Sequence, residues 1–121
     1  MLGSSPRGDA ILLKKGMGIM KEIYVISTIR LNAEGIDDQR PIGFFRDYHE
    51  AKIRIEGNSC DMFEAGYYKY AVILKITEGI YPHQEEVQWF EYCKITDNVV
   101  EINKPNIKHI DGQEFRPYVI G

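Results

Sequence analysis

Cysteine is scarce in this 121-residue chain, with only Cys60 and Cys93, and tryptophan occurs once, at Trp89. Two cysteines are too few for a disulfide scaffold, and a reducing cytosol fits that usage. No run approaches 18 apolar residues, which excludes a membrane-spanning helix. Basic residues are not in excess: 15 Lys and Arg face 18 Asp and Glu, a formal net charge of −3. That balance argues against a protein held to DNA by a general basic surface. Short catalytic signatures are missing as well. There is no Walker A loop, GxGxxG, HExxH, CxxC or GxSxG, and no nucleophile beside a base. Leucine is rare, with five residues against 17 isoleucines and eight tyrosines.

That last skew shows what is present. β-Branched and aromatic side chains suit a pleated, half-buried surface, so the chain is expected to be rich in strands. Apolar residues make up 44% of a 14.0 kDa chain, enough for one packed domain and hardly two. The first nineteen residues read differently. They lack periodicity, open with Gly, Ser and Pro, and carry one short apolar patch (Ile11, Leu12, Leu13) before Lys14 and Lys15. They are expected to be disordered or an over-extended start, and 20–121 a single ligand-binding domain. From Met20 onward 12 basic residues face 17 acidic ones, so an anionic ligand would need a local arginine cluster rather than a general field.

Period-two alternation predicts a strand over 22–32, with Ile23, Val25, Ser27, Ile29 and Leu31 opposite Tyr24, Ile26, Thr28 and Arg30. Residues 33–40, with Gly35, Asp37 and Asp38, read as a hairpin loop. Pro41 then opens a short strand over 42–46. Asp47 with Glu50 three residues on is an acidic capping box, starting a helix whose Tyr48, Ala51 and Ile55 share a face and which Gly57 and Asn58 stop. Residues 59–66 read as a further helical turn. Strands follow at 67–77, with Tyr68, Tyr70, Val72, Leu74 and Ile76 on one side, and at 86–96. In the latter, Val87 and Trp89 oppose Gln88, Phe90 and Tyr92. Asp97 and Asn98 form a turn pair before a last strand at 99–103. The order β-β-α-β-β-β predicts an α+β fold, a small antiparallel sheet with one main helix packed on a face.

His49, His83, His109, Cys60 and Cys93 have no metal-ligand spacing, so no metal site is expected, and no cofactor. Glu85 and Glu86 read as a solvated strand edge. Aromatic rings and arginines remain. Phe90 or Tyr92 could stack on a purine, and Arg30, Arg54 or Arg116 could grip phosphate. The plainer alternative makes Trp89 core and packs Phe90 and Tyr92 against the helix or an oligomer partner. Apolar residues on both faces of the first strand also call for cover beyond one short helix, most simply from a second protomer.

The segments IYVISTIRLN (23–32), RPIGFFRDYHEAK (40–52), EAGYYKYAVILKITEGIYP (64–82) and WFEY (89–92) resemble small phage proteins of the first Thoeris anti-defence family. The likeness runs from about residue 23 to 105; the first nineteen residues have no clear counterpart. The resemblance implies a sponge, not an enzyme. Such proteins hold a cyclic ADP-ribose isomer made by bacterial TIR-domain enzymes, in the cytoplasm of the infected host. They hold it without cleaving it, and some relatives hold cyclic oligonucleotides at a second site. It also implies a homo-oligomer, a dimer or dimers assembled into a hexamer, with the signal at protomer boundaries and no DNA or membrane partner. On that reading Phe90 or Trp89 stacks on adenine. Arg116, beside Phe115 in a tail free to close over a ligand, binds pyrophosphate. Asn98 contacts a ribose or the adenine edge. Arg30 and Arg54 serve the second site.

Two other classes stay open: a module that binds a host protein through a sheet edge, and a small nucleotide-cleaving enzyme using His83 or Glu85 as base. Truncation to Met20 is expected to leave the melting temperature nearly unchanged. A thermal melt of the truncated chain that falls by several degrees would show that Ile11 to Leu13 pack onto the domain.

Overall fold

A computed structural model describes residues 21–32, 35–79, 83–107 and 117. The expected disordered stretch 1–19, the tail residues Phe115 and Arg116, and His109 lie outside the described residues. Five strands, β1 (Glu22–Asn32), β2 (Gly35–Phe45), β3 (Tyr70–Thr77), β4 (His83–Cys93) and β5 (Asn98–Ile102), form one antiparallel sheet in the order β2-β1-β3-β4-β5. One helix, α1 (Tyr48–Glu56), packs on it, followed by two 3-10 turns, Ser59–Asp61 and Glu64–Gly66. The fold is therefore α+β in the expected order.

Helix α1 starts where its cap allows. Asp47 is extended (φ −125°, ψ 130°), and its carboxylate accepts the Glu50 N–H at 3.3 Å. Gly57 closes the helix by donating to the Ile53 carbonyl at 3.0 Å. Ala51 and Ile55 are fully buried against the sheet. With them lie Ile26, Ile73, Phe90, Phe63, Met62, Tyr68 and Tyr92, the core on the helix side. Val25, Ile29, Val72, Leu74, Ile76, Trp89 and Ile107 form a second apolar cluster on the opposite face. Both faces of the central strands are thus buried within one chain, without the second-protomer cover that the apolar residues on both faces of β1 called for.

Strand β2 departs from the expected reading. It begins at Gly35, so Asp37 and Asp38 lie inside a strand and not in a loop. The cause is cross-strand pairing: β1 offers a partner along its whole length, Arg30 sits opposite Asp38 and ion-pairs with Asp37, and Thr28 donates to the Arg40 carbonyl at 3.4 Å. Pro41 is tolerated mid-strand because β2 is a sheet edge. The strand β3 starts at Tyr70, later than expected, and Tyr68 belongs to the helix-side core. Strand β4 starts at His83, and the turn to β5 occupies 94–97 with Asp97 at φ 55°; Asn98 already pairs with Cys93.

A bulge corrects the expected faces of β4. Leu74 pairs with Glu86 and Ile73 with Gln88, so Val87 is the extra residue, and Glu86 shares the face of Trp89. Glu86 is no solvated edge: it accepts from the Trp89 indole N–H at 2.9 Å and from Lys104 at 3.2 Å. Phe90→Ala would empty a fully buried ring site under α1 and is expected to cost about 3–5 kcal/mol. Val100→Ala, at a half-exposed position, should cost under about 0.5 kcal/mol. Urea unfolding of both variants checks the contrast.

Candidate functional site

Between the edge strand β2, helix α1 and the two 3-10 turns lies a groove of about 450 Å³ on the helix side of the sheet. Its apolar wall is Ile26, Ile42, Phe45 and Met62, and Arg40 and Arg54 bring its positive charge. Each arginine is placed by a different element. Arg40 lies on β2 opposite Thr28, with its guanidinium 4.7 Å from the Tyr68 ring centre. Arg54 lies in the last turn of α1, its guanidinium 5.8 Å from the Phe45 ring centre. Each also has a carboxylate neighbour: Glu64 at 2.5 Å from Arg40, and Glu50 at 3.8 Å from Arg54. The Glu64 hydrogen bond raises the pKa of the Arg40 guanidinium above its ordinary value.

The far wall is the turn region 58–66, which is unusual in its backbone. Asn58, Cys60, Asp61, Glu64 and Ala65 all have positive φ, between 47° and 55°, in the left-handed region that favours glycine. Local bonds hold it there. The Asn58 side chain donates to Asp61 at 3.3 Å and accepts the Phe63 N–H at 3.1 Å; Asp61 accepts the Ala65 N–H at 3.1 Å. Phe63, fully buried and stacked on Tyr92 at 5.1 Å between ring centres, pins the turn to the core. Tyr68 completes the support of Arg40: its hydroxyl donates to Asp38 at 2.5 Å. Burial first, and then that bond, push the Tyr68 phenol up to about 12.

Among the expected site residues that are described, only Arg54 lines this groove. Phe90 is fully buried in the helix-side core, and Trp89 is 3% exposed on the opposite face. Their rings are taken up by packing, so adjacent positions in sequence do not make one stacking surface. Asn98 is exposed at the start of β5. Arg30 ion-pairs with Asp37 and lies 4.3 Å from the Tyr67 ring centre, outside the groove. His83 and Glu85 line a separate cavity of about 440 Å³ with Gln84, Glu86 and Pro117, and Glu85 pairs with Lys75 at 3.4 Å. Among the described residues no group of three or more His, Cys, Asp or Glu could hold a metal ion, and no helix is long and apolar enough to cross a membrane.

Sequence reasoning missed Arg40 and Glu64. Both lie in stretches read as loop or turn, and the available signal was an arginine directly before an edge-strand proline. No protein-family model, curated protein or solved structure matches the chain.

The raised Tyr68 phenol has a stability consequence. Its folded value lies above the unfolded value of 10, so its contribution is complete below pH 10 and is lost as pH climbs toward about 12. Tyr68→Phe is expected to flatten the loss of stability over that window, read as unfolding midpoints from pH 9 to 11.5. An unchanged slope would count against the burial of the phenol.

Proposed function

We propose that the protein is a non-catalytic sponge for a small nucleotide-type signal, the cyclic ADP-ribose isomer that the resemblance implies, held in the cytoplasm of an infected bacterial host by a homo-oligomeric chain. The observation that carries this reading is the groove itself. One cavity of about 450 Å³ brings two guanidinium groups together with a ring and an apolar wall. Its size lies within the range of small-molecule sites. A purine suits the wall of Ile42, Phe45 and Met62, and a pyrophosphate suits Arg40 and Arg54, whose planar forks can each bind phosphate oxygens bidentately.

Sequestration rather than cleavage is supported by the state of Asp61 in the groove wall, whose carboxylate accepts two hydrogen bonds from its own turn. The two bases considered for a cleaving enzyme, His83 and Glu85, line the other cavity. Phe90 and Trp89 do not enter this version of the site, whose ring is Phe45. Arg116 and Phe115 lie outside the described residues, and Pro117 next to them is bound by Gln84 beside the other cavity, so they are not part of this version of the site. Asn98, proposed to contact a ribose or the adenine edge, and Arg30, proposed for a second site, lie outside this groove.

The experiment is to incubate the protein with the cyclic ADP-ribose isomer, remove free ligand, denature by heat and identify what is released. Intact isomer is expected. Cleavage products would replace the reading by an enzyme, and no depletion would replace it by an interaction module. Calorimetry should then show Arg40→Gln weakening binding by roughly thirtyfold, about 2 kcal/mol. The folding stability of Arg40→Gln should change by under about 1 kcal/mol, because its ion pair is half-exposed.

A further inference from the structure

We infer that Glu64 is an internal stand-in for the ligand's anionic group: its carboxylate occupies the Arg40 guanidinium until a phosphate-bearing small molecule displaces it, so that the groove is gated by its own turn. The inference rests on the groove being the binding site proposed above, and it concerns how that site is regulated.

Three observations carry it. First, Arg40 is held as a receptor rather than as a loose surface cation. Its guanidinium lies over the Tyr68 ring at 4.7 Å, and Tyr68 is fixed in turn by its bond to Asp38. Stacking leaves the edge of the guanidinium, with its paired N–H groups, to a planar or tetrahedral oxyanion. Second, that edge is met by the Glu64 carboxylate at 2.5 Å, while both side chains stay roughly half-exposed, at 46% and 45%. An ion pair so open to water is weak, and a phosphate that makes two hydrogen bonds can exchange with it. Third, Glu64 belongs to the groove wall. Residues Ser59 to Met62 and Glu64 all line the cavity from a single short segment. Displacing Glu64 therefore releases the outer end of the wall while buried Phe63 keeps its place in the core.

Charge points the same way. Arg54 is offset by Glu50, Arg40 by Glu64, and Asp61 adds a further carboxylate to the lining. In the closed arrangement the groove offers no net positive charge to an anion. Moving one carboxylate out of it restores a cationic end beside an apolar one, the division a phosphorylated ring compound requires.

The test is calorimetry of the full chain with inorganic pyrophosphate as probe, on four proteins: unaltered, Glu64→Gln, Arg40→Gln, and Glu101→Gln. Glu101 pairs with Lys52 and does not line the groove, so its variant makes the same change in net charge elsewhere. Glu64→Gln should bind pyrophosphate about fivefold more tightly, the equivalent of about 1 kcal/mol and the upper range of an exposed ion pair. Glu101→Gln should change affinity by less than about twofold, since exposed charges at a distance are screened. Arg40→Gln should lose the pyrophosphate response. Glu64→Ala serves as a second variant if the glutamine form is unstable. Glu64 variants no tighter than Glu101→Gln would overturn the gate, and weaker binding would make Glu64 a positioning residue instead. If pyrophosphate follows the expected order while the cyclic ADP-ribose isomer binds none of the four, the gate stands and the signal assigned above falls.

Discussion

Burial of the helix-side face of the sheet is the constraint on which the rest of the molecule depends. Ile26 on β1, Ile73 on β3 and Phe90 on β4 are within 2% of complete burial, and α1 covers them with Ala51 and Ile55. The helix is only nine residues long, too short to be stable alone, so its docking supplies the order that its length does not. Because α1 is fixed there, the chain that leaves it must turn back at once to reach β3. The compact left-handed turns between Asn58 and Ala65 accomplish that reversal, with Phe63 inserted beside Tyr92 as their anchor.

The groove is a by-product of the same geometry. A short helix cannot cover a sheet of five strands to its edge, and the β2 side is left partly open, with Ile42 exposed and open space where a side chain at Gly43 would project. The turn region fills part of that gap and leaves about 450 Å³ between itself and β2. Polar groups gather at its rim because the apolar floor is already committed to the core. Arg40, Glu64, Tyr68 and Asp38 form a chain of contacts there, in which each charged group has a polar or aromatic partner.

The opposite face follows a different logic. Trp89 is held by both packing and a hydrogen bond from its indole to Glu86, and that carboxylate is shared with Lys104. Ile107 packs on this face, and the Pro117 carbonyl accepts from Gln84 at 2.9 Å. The β4 bulge at Val87 is what turns Glu86 toward the indole. A strictly alternating strand would have sent that carboxylate to the other side and left the buried N–H to find another acceptor.

Much of the local structure was legible in the amino-acid order. The alternation from Ile23 to Leu31 marked β1 to its end residues, Asp47 and Glu50 marked the helix start, and period two set Trp89 and Phe90 on opposite faces. These features depend on neighbours a few residues away, so they leave a periodic trace. The length of β2, the bulge at Val87 and the meeting of Arg40 with Glu64, 24 residues apart, leave no such trace. Asp37 and Asp38 look like turn residues until β1 pairs with them. Sequence period determined which way the side chains of an unbroken strand face; only tertiary packing decided where a bulge reverses that facing, as at Glu86, and which distant side chain each one meets, because strand partners and bulges are chosen by the burial of the whole sheet.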